Sequence, residues 1–211
     1  MADYTLYCFA ESGNSYKAAL MLAACRLDWE PRLVGFFDGE TRSEAYRRDV
    51  NAMGEVPVLV HGDLEITQSG VILDYLAEKT RKFSPKSDAE RREVWRWILF
   101  DNHKFTSYLA TLRFLLRFAD GGEPKVVEFL KARAEAAMKI VDGRLASGDF
   151  IIGKRVTIAD FSLCGYLYYE DELGISLSPH THIRRWLDRI ASLPGWRHPY
   201  DLMPRALKKA G

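Results

Sequence analysis

Apolar and aromatic residues crowd Tyr4 to Phe9 in the manner of a buried strand, and Glu11-Ser12-Gly13-Asn14-Ser15 breaks the run with residues suited to turns and helix starts. An Ala- and Leu-rich stretch from Tyr16 to Arg26 predicts a helix. Trp29 to Val34 predicts a second strand, with Pro31 marking it as an edge. The polar stretch from Asp38 to Asp49 fits a loop and a short helix. Val56 to Val60 and Leu64 to Thr67 read as a hairpin turning at His61-Gly62-Asp63. Val71, Ile72, Tyr75 and Leu76 then follow helical spacing between Ser69 and Lys79. The first half is thus strand, helix, strand, helix, hairpin, helix, which requires a parallel pair joined by a crossover and a mixed sheet.

After a polar linker at 81–86 the pattern is helical throughout. One long helix is expected from Ser87 to Phe118, with Trp95, Leu99, Phe105, Leu109, Leu112 and Leu116 as its apolar stripe. Gly121-Gly122 stops it, and Pro124 restarts a helix that runs to Leu145. Further helices are expected over Thr157–Leu173 and His180–Ser192, followed by a terminal segment after Pro199. These differences divide the chain into 1–80, a linker at 81–86, and an all-helical 87–211.

Composition narrows the function. Thirty basic residues against 29 acidic ones leave a net charge of +1, so no long-range field steers the chain to nucleic acid or an anionic membrane. No apolar run approaches the roughly 18 residues of a membrane span, and the N-terminus lacks a basic leader. Cys8, Cys25 and Cys164 are odd in number and far apart, which fits a reducing compartment, and a cytoplasmic location is expected. Neither a CxxC nor a cysteine–histidine cluster with zinc spacing is present, so no metal is expected.

Three junctions carry candidate chemistry. At Ser12 to Lys17, a hydroxyl beside unpaired N–H groups could stabilise a thiolate, although the same residues would also serve a plain helix cap. At Gly54-Glu55-Val56-Pro57, a cis proline would turn the Val56 peptide groups outward to pair with an extended peptide, whereas a trans proline would only start a strand. At Thr67-Gln68-Ser69-Gly70, Ser69 is a natural cap able to grip a carboxylate, and Gln68 offers an oxygen to an amine. The element order is that of a thioredoxin-like fold, in which all three junctions would surround one groove at one end of the sheet.

With these motifs in family order, the chain resembles the soluble glutathione S-transferases of the serine type over essentially its full length. The Gln-Ser-x-x-Ile-Leu-x-Tyr-Leu run from Gln68 to Leu76 belongs to that resemblance. So does Thr157-Ile158-Ala159-Asp160 after Ile152-Gly153, a capping box that serves folding rather than catalysis. The resemblance implies a thioredoxin-like α/β domain followed by an all-α domain, glutathione as co-substrate, a small hydrophobic electrophile, a role in detoxification and a homodimer. It implies that Ser12 is the catalytic hydroxyl with Asn14 beside it. Arg42, Glu55, Val56, Pro57, Gln68 and Ser69 would hold glutathione, and His103 and Tyr108 would lie in the electrophile pocket.

Departures from the pattern matter too. Gln68 stands where many members have Glu, and Glu55 where several serine-type members have Lys. Asn14 stands where cysteine-type bacterial members and maleylacetoacetate isomerases have Cys, which disfavours both. Cys8 and Cys25 are expected to be core residues. Besides conjugation, glutathione-dependent reduction of peroxides or disulfides and glutathione binding without turnover remain open.

Overall fold

The computed structural model describes residues 2–207, which form two compact units. The first unit comprises residues up to Lys82 together with those from Leu193 onward, and the second runs from Phe83 to Ser192.

The first unit is built on a four-stranded sheet ordered β2-β1-β3-β4. Strands β1 (Tyr4–Cys8) and β2 (Trp29–Leu33) run parallel, Tyr4 opposite Trp29 and Cys8 opposite Leu33, with helix α1 (Gly13–Cys25) as the crossover. Strand β3 (Val58–His61) lies antiparallel to β1, and β4 (Leu64–Thr67) antiparallel to β3. This is the thioredoxin-like arrangement. Pro31 sits on edge strand β2, where its missing N–H leaves no gap in an interior ladder.

Helix α1 is buried on nearly every face, as its small apolar residues allow, and it packs on α3 (Ser69–Thr80) and on the short α9 (Pro199–Leu202). A 3₁₀ turn (Glu40–Arg42) and α2 (Glu44–Asp49) join β2 to β3. The terminal segment that the pattern assigned to the helical half belongs to this first unit instead. Its one turn of helix is too short to bundle, and its hydrogen bonds go to α1 and the loop before it.

The second unit contains α4 (Asp88–Phe100), α5 (Thr106–Phe118), α6 (Pro124–Leu145), α7 (Ile158–Cys164) and α8 (Thr181–Ala191). The expected long helix is interrupted at Asp101–Phe105 by a π-helical turn. Trp97, Asp101, Phe105 and Leu109 are all buried at intervals of four. An α-helix of ~3.6 residues per turn cannot keep that spacing on one face, and the widened turn restores the phase. The buried stripe of α4 is accordingly Val94, Trp97 and Ile98, while Leu99 is exposed and Trp95 only half-buried. The helix expected over Thr157–Leu173 likewise divides, into α7 and a 3₁₀ stretch (Leu167–Glu172), with Gly165 capping the first part and Tyr169 leaving helical geometry.

The capping box at Thr157 is present. Asp160 is fully buried, and its carboxylate accepts from the N–H groups of Ile151 (2.9 Å) and Thr157 (2.8 Å), the Thr157 hydroxyl (3.1 Å) and Trp186 Nε1 (2.9 Å). Burial pushes this carboxyl up from its ordinary value while the four donors pull it back. A second buried carboxylate, Asp101, accepts from Thr106 Oγ1 and Ser162 Oγ, each at 2.6 Å, and ties the π turn to α7.

Candidate functional site

The register of the sheet brings the three junctions together. Tyr7 pairs with Val58, and Val58 with Thr67. The end of β1, the start of β3 and the end of β4 therefore lie side by side, and the loops carrying Ser12, Pro57 and Gln68 leave the sheet at one end.

Ser12 is the N-cap of α1. Its backbone is extended (φ −92°, ψ 109°), and its Oγ accepts the Ser15 N–H at 3.1 Å. Having accepted that bond, the hydroxyl still holds its own proton to donate. Ser12 itself is buried. Beside it, Asn14 Oδ1 and Ser15 Oγ are enclosed and bonded by no described residue. Buried polar atoms are almost always paired, so two such atoms at one helix start mark a place where a polar partner belongs.

The Val56–Pro57 peptide is cis. Val56 precedes β3, and Pro57 is buried. The preceding carbonyl, that of Glu55, is gripped by Tyr46 Oη (3.0 Å) and Asn51 Nδ2 (2.9 Å), so the junction is anchored from α2 and the loop after it. Burial, with Glu40 and Tyr7 adding to it, pushes the Tyr46 phenol up to about 12, which keeps it a neutral donor.

At the third junction the expected cap is corrected. Gln68, not Ser69, is the N-cap of α3, with φ 67°, and Ser69 is the first helical residue. The Gln68 carbonyl accepts the N–H groups of Val71 and Ile72, leaving those of Ser69 and Gly70 toward the loop side. Ser69 is buried, while the Gln68 side chain is exposed. Gln68 Nε2 donates to Glu55 Oε2 at 2.9 Å, which holds the amide in place and leaves its oxygen unused by that bond. A carboxylate thus stands at position 55, where several serine-type members have Lys, and orients its neighbour.

Arg42 is exposed on the 3₁₀ turn next to Thr41, whose carbonyl lies so close to Gly54 that a Cβ there would stand 2.7 Å from it. His103 is exposed on the π turn of the second unit, and Tyr108 is half-buried in α5. The cysteines are buried, and desolvation pushes the Cys8 thiol up to about 12 and raises that of Cys25. No group of three or more side chains that could hold a metal ion occurs among the described residues.

Two features escaped the sequence pattern. Phe9, which accepts the Ser12 N–H at its carbonyl, stacks on Phe36 (centroids 5.0 Å apart), and Phe37 meets both rings edge-on. The two consecutive phenylalanines in a polar loop were the available signal. Glu11 is buried with its carboxylate accepting from the N–H groups of Ala206 and Leu207, and nothing near it in sequence marks that role.

A thioredoxin-like unit with a hydroxyl-capped helix, a cis-proline junction and a polar helix start at one end, carried in a chain with a separate helical unit, defines the class to which this protein belongs. Residues 2–78 match the glutathione S-transferase N-terminal domain and residues 105–194 the C-terminal domain. The crystal structure of a glutathione S-transferase from Pseudomonas fluorescens superposes with a TM-score of 0.88 at 30% identity, covering 95% of this chain and all of that one (100%). A glutathione S-transferase of Arabidopsis thaliana is 25% identical over 87% of this chain and 90% of its own. The disulfide-bond oxidoreductase YfcG of Escherichia coli is 25% identical over 88% and 89%. The chain belongs to the glutathione S-transferase family.

Proposed function

We propose that the protein is a glutathione transferase in which Ser12 stabilises the thiolate of bound glutathione. The observation that carries this is the Ser12 cap hydroxyl, which accepts the Ser15 N–H and keeps its own proton, at the same sheet end as the other two junctions. A hydroxyl that already accepts one hydrogen bond is polarised and donates a second more strongly. Asn14 stands beside it as a further polar partner. Val56 pairs through its backbone with the cysteinyl residue, Pro57 shaping that junction. Gln68 and Ser69 hold the γ-glutamyl end: Ser69 and the free N–H groups of α3 take its carboxylate, and Gln68 and Glu55 its ammonium. Arg42 takes the glycine carboxylate. The thiol proton passes to water, the sulfur forms a bond to an electrophilic carbon, and the leaving group or the conjugated acceptor takes the displaced electrons. His103 and Tyr108 contribute to the electrophile pocket.

The test is ultraviolet titration of bound glutathione in wild type and Ser12→Ala. A thiol pKa below the free value of ~8.5 in wild type, restored by Ser12→Ala, supports the assignment. Binding with an unshifted thiol in wild type refutes it and favours binding without turnover.

Disulfide reduction is the second reading, supported by the oxidoreductase relative; with all three cysteines buried, it would use no protein thiol. A first glutathione thiolate would attack the disulfide and release one thiol. A second glutathione would then resolve the mixed disulfide, leaving glutathione disulfide and the second thiol. The oxidoreductase relative is in keeping with this chemistry. Parallel assays with a chloroaromatic electrophile and a small dialkyl disulfide decide between the two. The homodimer, the cytoplasmic location and the role in detoxification belong to the same proposal. Light scattering should return twice the mass of one chain.

A further inference from the structure

The segment after α8 runs back along α1 toward the loop that holds Ser12. Gly195, at φ 78°, lies so close to the last turn of α1 that a Cβ there would stand 2.5 Å from the Ala23 carbonyl oxygen. Next, the Arg197 carbonyl accepts the hydroxyl of fully buried Tyr16 at 2.9 Å. The Pro204 carbonyl accepts the Ala10 N–H at 2.7 Å. Finally the N–H groups of Ala206 and Leu207 donate to the Glu11 carboxylate at 3.0 and 3.3 Å. As the segment ascends from 195 to 207, its partners descend from 23 to 10 and 11. The guanidinium of Arg205 stacks over the Tyr200 ring at 3.8 Å and braces the segment from within.

The last attachments fall on Ala10 and Glu11, the two residues before Ser12. That loop is short: the Ser12 N–H already closes back on the Phe9 carbonyl at 3.0 Å, so whatever fixes residues 10 and 11 fixes where residue 12 stands. Glu11 is a charged side chain only 5% exposed, and the peptide N–H groups of half-buried Ala206 and exposed Leu207 donate to its carboxylate. A buried carboxylate needs such donors, which makes the attachment specific rather than incidental.

We propose that this C-terminal strap sets the position of the Ser12 hydroxyl, with Glu11 as the positioning residue that couples the two. The inference rests on the role assigned to Ser12 above. Its consequence is that thiol activation depends on residues almost two hundred positions downstream of the hydroxyl (|i−j| of 195 and 196 for the two Glu11 bonds). Displacing a reacting group by ~1 Å costs on the order of 10²-fold in rate, so a small shift of this loop is enough to be read.

The experiment uses the full chain. Ala206→Pro deletes the Ala206 N–H donor to Glu11 without altering Glu11, and Glu11→Gln keeps the side-chain shape while removing its charge. Two readouts are taken: hydrogen exchange of the Ser15 amide, which is bonded to Ser12 Oγ, and the pKa of bound glutathione. The expected result for Ala206→Pro is at least about tenfold faster Ser15 exchange with β3 amides unchanged. The bound thiol should move up toward ~8.5, and kcat should fall more than the glutathione KM rises. Glu11→Gln should move the same readouts in the same direction. Wild-type Ser15 exchange in both variants overturns the proposal, as does a wild-type thiol pKa with faster exchange; a lowered Tm alone would mean that the strap only stabilises the fold. If wild type itself fails to lower the glutathione thiol, the Ser12 assignment falls on its own, and the Ser15 exchange still decides whether the strap positions the loop.

Discussion

The proposed role gives Ser12 two tasks that substitutions can separate. As an N-cap it contributes ~1 kcal/mol, an amount Ala forfeits and Gly largely keeps. As a donor to a thiolate it is comparable with a donor to a developing oxyanion, whose removal costs on the order of 10²–10³ in kcat. Ser12→Ala should therefore lose both stability and turnover, whereas Ser12→Gly should lose turnover with only a few tenths of a kcal/mol in urea unfolding. The cysteines give a second expectation at this scale. With all three buried and the Cys8 thiol pushed up to about 12 by desolvation, a disulfide reagent at neutral pH should titrate no thiol in the native protein and three after unfolding. Ser12 and Gln68 were legible because each lies at a junction where an apolar period changes. Which residue caps α3 was not, because the positive φ of Gln68 comes from how β4 enters the helix and not from its own chemistry. The use of Glu55 was equally hidden, since its partner lies thirteen residues away across a hairpin (|i−j| = 13).

Among the elements, α7 is held at its start by Asp160. All four hydrogen bonds to its carboxylate come from donors, so Asp160→Asn would turn an amide N–H₂ toward at least one of them. A loss of about 3–5 kcal/mol is expected, visible as a lowered urea midpoint with glutathione binding as a separate check. The local part of this network was legible, because a capping box is an i,i+3 relation. Trp186, twenty-six residues on (|i−j| = 26), was not. The helical stripe before α5 was misphased for a related reason. A periodicity argument assumes one pitch throughout, and the π turn at Asp101–Phe105 changes it where Asp101 is held by Thr106 and Ser162.

For the molecule, the first unit is discontinuous: residues 193–207 complete what residues 2–82 begin. Residues 1–82 alone should therefore leave uncovered the part of α1 that α9 packs on, and show no cooperative thermal transition by circular dichroism. In the full chain, Gly195→Ala combines a left-handed backbone with a contact 2.5 Å from the Ala23 carbonyl, and should cost more than ~1 kcal/mol. The two-part division of the chain was legible from the switch in hydrophobic period near residue 80. The return of the terminus was not, since a one-turn helix with polar flanks looks the same whichever unit it joins. This return also orders events in the cell. Ser12 and its loop leave the ribosome almost two hundred residues before Pro204, Ala206 and Leu207, which fasten that loop. A nascent chain that has not yet exposed residues 204–207 thus lacks those fastenings, and the Ser12 loop takes its final form only once they have emerged.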